Sequence, residues 1–252
     1  RIWLQAISDE YPVVQAFQST GGLRYQKGPW DLRMTVYQRL TTNIVSRNPA
    51  VGFFDVQDIS REISEDVGAS FSRGMDVLIQ RLGRKHQFWL GYSLSRTQFI
   101  FENINRGEPF DAPQDQRHIV KSAYMYHQKR WHLSTSFQLA TGRPFTPPVL
   151  RTRADGSFFA SFRGQLNSER LPLFHQANVS ATYDWHIRSE AHNWLGNVGI
   201  SIFNLYGRQN VVGKSYAFVE VFDDNEQLVQ DIETLNRVSL GFTPTLFISL
   251  NW

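Results

Sequence analysis

The chain has no cysteine, so it has neither a disulfide framework nor a thiol nucleophile. Long apolar runs are missing too. No stretch of about 18 or more hydrophobic residues occurs, which excludes a transmembrane helix. Charge of one sign is scarce: 26 Lys and Arg against 23 Asp and Glu leave a formal +3, too little to argue for a nucleic-acid partner. Catalytic signatures are absent. There is no HExxH, no GxSxG, no Gly-rich phosphate loop and no Ser–His–Asp order, so the residues point to no enzyme. The sequence opens on Arg1 without an initiator Met or a signal peptide, as expected of a mature chain or a piece of one.

What the chain does have is aromatic and alternating. Aromatics make up 14%, with 7 Trp and 19 Phe, in a sequence of 252 residues that is 41% hydrophobic. Mean hydropathy is −0.36, which a β-barrel tolerates because alternation conceals its membrane face. From Val238 every second residue is apolar: Val238, Leu240, Phe242, Pro244, Leu246, Ile248, Leu250, Trp252. The interleaved residues are Ser239, Gly241, Thr243, Thr245, Phe247, Ser249 and Asn251. A soluble half-buried strand alternates for about five or six residues. A split sustained over fifteen residues suits a strand with lipid on one face and a polar lumen on the other. Residues 238–252 are expected to form one closing strand, with Trp252 as an interfacial anchor.

The same rhythm recurs upstream. Val198, Ile200 and Ile202 oppose Asn197, Gly199 and Ser201; Ala177, Val179, Ala181, Tyr183 and Trp185 oppose Gln176, Asn178, Ser180, Thr182 and Asp184. Trp131, Leu133, Phe137 and Leu139 form a third apolar row, Phe88, Leu90, Tyr92 and Leu94 a fourth, and Trp30, Leu32, Met34 and Val36 a fifth. Segments 14–25, 67–81 and 116–127 follow less cleanly, and residues 1–8 hold the remains of another strand. The expectation is all-β: a transmembrane antiparallel β-barrel with roughly ten strands present. Connections alternate strictly between short (26–29, 82–85, 127–129, 187–193) and long (46–66, 104–115, 143–172, 207–237). Outer-membrane barrels segregate periplasmic turns from extracellular loops in this way. Trp30, Trp131, Trp185 and Trp252 all fall on the expected lipid face near short turns, the depth a membrane-interface girdle occupies.

Four segments, in order along residues 67–252, resemble the barrels of TonB-dependent receptors. Ser72-Arg73-Gly74-Met75-Asp76 is similar to their small-residue step into a strand, and Asp115-Gln116-Arg117-His118 to the lead into a descending strand. Thr141-Gly142-Arg143-Pro144-Phe145-Thr146-Pro147-Pro148 resembles a strand-to-loop transition. Ile202-Phe203-Asn204-Leu205-Tyr206-Gly207-Arg208-Gln209-Asn210 resembles the strand end before the last extracellular loop. Residues 1–66 match only in strand rhythm. The resemblance implies a 22-stranded barrel with a plugged lumen, of which residues 1–252 supply the C-terminal portion of the wall and no plug. It also implies import of a specific ligand with energy from TonB, an N-terminal plug outside this chain, outer-membrane lipid and lipopolysaccharide around it, and in one branch a surface lipoprotein. The energy-coupling box is not among these residues. Two alternatives remain: a passive porin or small standalone outer-membrane barrel, and a soluble carbohydrate-binding β protein.

Loop 143–172 is the ligand-facing candidate. It carries Arg143, Arg151, Arg153, Arg163 and Arg170 against Asp155 and Glu169, with Phe145, Phe158, Phe159 and Phe162. Arginine forks hold carboxylate or phosphate and aromatic rings stack on flat groups, which suits an anionic siderophore, a glycan or a peptide. The plainer reading gives the same arginines to lipopolysaccharide phosphates or neighbouring loops. Loop 207–237 concentrates Glu220, Asp223, Asp224, Glu226, Asp231 and Glu233, and Val219, Val221 and Val229 suggest a solvated acidic hairpin around residues 223–225. Its carboxylate spacing does not match a calcium loop. The seven histidines make no metal set; His127 and His132 flank one turn, and His186 and His192 another. No cofactor and no metal is expected.

Overall fold

The computed structural model describes residues 12–47, 65–152, 158–161, 165–188, 193–222 and 228–251. They contain β1 (Gln15–Lys27), β2 (Trp30–Arg47), β3 (Glu65–Leu82), β4 (His86–Phe101), β5 (Phe110–Asp111), β6 (His118–Gln128), β7 (Trp131–Ala140) and β8 (Pro144–Phe145). There follow β9 (Val149–Thr152), β10 (Phe158–Ser161), β11 (Glu169–Arg170), β12 (Phe174–Arg188), β13 (Asn193–Phe203), β14 (Val211–Phe222), β15 (Leu228–Val238) and β16 (Thr243–Asn251). The chain is all-β. Nine strands form one antiparallel sheet in the order β1-β2-β3-β4-β6-β7-β12-β13-β16, with β5 added beside β4. Three separate ribbons, β8/β11, β9/β10 and β14/β15, occupy the long connections.

Period-two patterning explains why these residues make a wall. Paired positions share a face, and Leu246, Ile200, Ala181 and Leu133 line up as one apolar row across β16, β13, β12 and β7. One residue further on, Thr245, Ser201, Ser180 and Ser134 line up as a polar row. The Ser134 and Ser180 hydroxyls join at 2.8 Å within it. Three glycines sit directly opposite an aromatic whose ring covers them: Gly74 under Tyr37, Gly196 under Trp185, and Gly199 under Phe247. Such pairs let a sheet curve while keeping the bend covered.

Among the described residues no element covers the apolar face of the sheet. Leu133 and Ile200, in the middle of the sheet, are each 41% exposed, and Val198 is 44% exposed. Among the described residues the buried hydrophobics are Phe101, Ile104, Ala112 and Ala140, all near the end of the sheet that carries the long connections. Strands β2 and β3 are 18 residues long and run beyond that end; a bulge at Asn43, held left-handed at φ 60°, re-registers the top of β2 against β3.

The expected single strand over 238–252 is two elements. β15 ends at Val238 and pairs with β14, whereas β16 begins at Thr243 and pairs with β13. Between them the Leu240 carbonyl accepts from Asn204 Nδ2 and the Gly241 carbonyl from Thr243 Oγ1, so the chain turns where the hydrophobic rhythm runs on unbroken. β16 pairs with β13 from Leu195 opposite Asn251 to Phe203 opposite Thr243. Among the described residues β1 and β16 do not pair with each other. The expected hairpin in 207–237 is present as β14/β15, its tip lying outside the described residues, as do residues 1–8 and most of 46–66.

Candidate functional site

Two polar clasps organise the end of the sheet that carries the long connections. The first begins at Gly142, where a Cβ would run into the Leu171 carbonyl, so only glycine lets the returning chain lie so close. The Leu171 amide donates to the Arg143 carbonyl at 2.9 Å, and β8 pairs with β11 just beyond. That pairing aims Arg170 into the clasp. Its Nη2 reaches Asp115 Oδ2 at 2.6 Å and Asp111 Oδ2 at 2.7 Å, while Nη1 donates to the Gly142 carbonyl at 3.1 Å. Arg117 joins both carboxylates at 3.2 and 3.4 Å, and Arg96 reaches Asp111 at 3.3 Å. The Asp115 side chain is 0% exposed and also accepts the Thr97 amide at 2.8 Å. Gln116 Nε2 donates to the Thr141 carbonyl, and the His118 amide to Thr141 Oγ1. The 115–118 and 141–148 segments are thus two halves of one fastening.

The second clasp is built on two buried asparagines. Asn204 sits left-handed at φ 54°, where Asn is better tolerated than most residues. Its Nδ2 donates to the Arg208 and Leu240 carbonyls at 2.8 and 2.9 Å, and its Oδ1 accepts the Arg208 amide. Asn210 pairs with both backbone groups of His175, at 3.0 and 2.9 Å, and the Ser239 amide donates to the Asn210 carbonyl. This fastens the base of β14/β15 to the wall.

The candidate ligand residues separate on this scaffold. Arg143 is exposed at the rim beside a cavity of about 170 Å³ bounded by Gln116, Gln138, Phe174 and Val212. Phe145 is half-buried beneath Lys214 Nζ, 4.3 Å from its ring centre, which brings β14 against the 143–172 loop. Burial together with the neighbouring Glu169 carboxylate pushes the Tyr216 hydroxyl's ionisation up, on the same ribbon. Arg151 lies on β9 as the cross-strand partner of Phe159 on β10, and Phe158 partners Thr152. Arg153, Phe162 and Arg163 lie outside the described residues. Arg170, counted by sequence among the loop's ligand-facing arginines, is bound up in the first clasp; two carboxylates and two carbonyls occupy its Nη1 and Nη2 groups.

At the opposite end the short turns carry tryptophan. Trp30 and Trp131 each open a strand after one, 42% and 52% exposed on the apolar face, and Trp185 lies on that face near the end of β12. Trp131 pairs with Tyr183, two residues from Trp185 on the neighbouring strand. Trp252 lies outside the described residues. On the polar face beside the same turns, His127 Nδ1 and His132 Nδ1 are 2.7 Å apart, and His132 Nε2 is 2.6 Å from Asp184 Oδ2. Sequence reading placed this pair on either side of one turn without joining them, and the two-residue turn at 129–130 sets 127 opposite 132. Among the described residues no three His, Asp or Glu side chains converge as a closed metal cage, and no helix is long and apolar enough to cross a membrane.

No protein-family model matches this sequence, and comparison with curated proteins finds no match.

Proposed function

We propose that residues 1–252 form part of the wall of a transmembrane outer-membrane β-barrel, and that the barrel is a TonB-dependent receptor importing a specific ligand. The observation that carries this reading is the uncovered apolar face on a single sheet layer. A water-soluble sheet must bury its apolar face against a second layer, and here no described element covers it. β7 supplies the height: its ten residues at about 3.4 Å each, tilted about 40°, rise about 25 Å, the height of a barrel's apolar band. The tryptophans near the short turns then serve as the periplasmic girdle, and the clasped long loops face outward from the cell. Lipid leaves an open sheet edge unsatisfied, so the proposal includes further strands, and the plug, outside this sequence.

The test is fractionation and mobility. Exported to the outer membrane, the protein is expected only in the detergent extract and to migrate faster unheated than boiled. A stable soluble monomer with no heat-dependent shift would refute the barrel. The ligand reading rests on Arg143 with the arginines of the β9/β10 region, offered to an anionic siderophore, glycan or peptide. Replacing Arg143, Arg151 and Arg163 together with Ala should weaken binding by about 1–3 kcal/mol for each charged hydrogen bond lost. The heat-dependent shift should stay intact, because Arg143 and Arg151 lie outside the strands of the large sheet. Unchanged binding across a panel of such ligands would assign these arginines to lipopolysaccharide.

A further inference from the structure

The polar face carries one constellation that receptor function leaves unused. His127 and His132 are a registered cross-strand pair on β6 and β7, one pair in from the turn at 129–130. Their rings meet at 69°, with the two Nδ1 atoms 2.7 Å apart. His132 Nε2 lies 2.6 Å from Asp184 Oδ2, on the next strand. When the ring donates to that carboxylate from Nε2, the His132 Nδ1 lone pair accepts the His127 Nδ1–H. Metal-binding histidines are held in this way, one nitrogen on the ion and the other N–H on a carboxylate.

We propose that His127 and His132 form a cis bis-imidazole site for a divalent transition-metal ion of the Cu²⁺ type, with Asp184 orienting His132. The spacing is closer to one coordination geometry than to the other. Two ligands at about 2.0 Å and 90° on a tetragonal ion stand about 2.8 Å apart, whereas a tetrahedral ion needs about 3.3 Å. The 2.7 Å hydrogen bond between the metal-free rings leaves the two nitrogens only about 0.1 Å from the tetragonal spacing and about 0.6 Å from the tetrahedral one. Solvent completes the coordination, because the site opens onto the polar face: the His132 and Asp184 side chains are 38% and 50% exposed. On binding, the proton shared between the rings moves through solvent to His127 Nε2, so two neutral imidazoles hold the metal and no net proton is lost. Three other described histidines differ in their Nδ1 contacts. The Nδ1 atoms of His86, His118 and His175 each meet a tyrosine hydroxyl at 2.8–2.9 Å and have no second imidazole beside them.

The experiment is a Cu²⁺ titration of the protein in detergent micelles near neutral pH, read by calorimetry and electron paramagnetic resonance. One tight equivalent is expected, with hyperfine structure from two nitrogens. His127→Gln and His132→Gln should each weaken it roughly tenfold or more and remove one nitrogen, and Asp184→Asn should weaken it roughly 10–100-fold. His86→Gln should change nothing. The heat-dependent mobility of each variant shows that its wall is intact, and His127→Gln keeps a polar pair in the hairpin should His132→Gln fail to fold. A one-nitrogen spectrum, or undiminished binding in a folded His127→Gln variant, would overturn the site. Full affinity in Asp184→Asn would overturn the orienting role of the carboxylate.

Discussion

Asp115→Ala is expected to cost about 3–5 kcal/mol of stability, among the largest effects of any single substitution in this chain. The carboxylate is fully buried and accepts from Arg170 Nη2, Arg117 Nη2 and the Thr97 amide. Its removal leaves a cation without its closest counter-charge and an amide without an acceptor. Arg170→Ala should cost less, because Asp115 keeps Arg117 and Thr97, and Asp111 keeps Arg117 and Arg96. The midpoint of the heat-dependent mobility shift, compared between the two variants in the same detergent, measures the difference. Equal, small shifts would show that the clasp adds nothing to stability.

The second large effect is the cost of a charge on the apolar face. Ile200 lies near the middle of β13, opposite Leu246 and Ala181, with no polar partner within its row. In lipid, Ile200→Arg should destabilise by about 2–4 kcal/mol, and the cost should fall to about 0–1 kcal/mol for an arginine placed near either rim. Ser201→Arg, one residue away on the polar face, should be tolerated. Reversible unfolding in vesicles measures all three. A cost that does not vary with depth along the strand would speak against a bilayer around the wall.

Much of this architecture was legible because alternation reports which way a side chain faces. The rows through Trp131, Ala177 and Val198 fall in β7, β12 and β13, and the valines of 219–229 mark a true ribbon. The rhythm carries no information about where a strand stops. The series from Val238 to Trp252 therefore read as one element, although Asn204 captures Leu240 in the middle of it. Charge in a long loop has no period at all. Nothing in the local sequence distinguishes Arg170, folded back onto Asp111 and Asp115, from Arg143 at the rim. The histidine pair was read as flanking one turn and set aside; the cue left unused was the turn's length, which puts the two residues directly opposite each other.

The base of the β14/β15 ribbon has a consequence for how the wall comes together. The chain leaves the sheet at Phe203 and re-enters at Thr243, a long excursion whose ends must meet before β16 can pair with β13. An unstructured loop loses entropy on closure that grows with the logarithm of its length. Once the ribbon has zipped, Asn210 and Ser239 are hydrogen-bonded neighbours, and Asn204 grips both Arg208 and Leu240. The excursion then behaves as a tight turn, and the last wall strand docks as if it followed β13 directly. Residues held at the sheet's end thus set the order of events: local zipping comes first, and sealing of the distant pair follows at the entropic cost of a short loop.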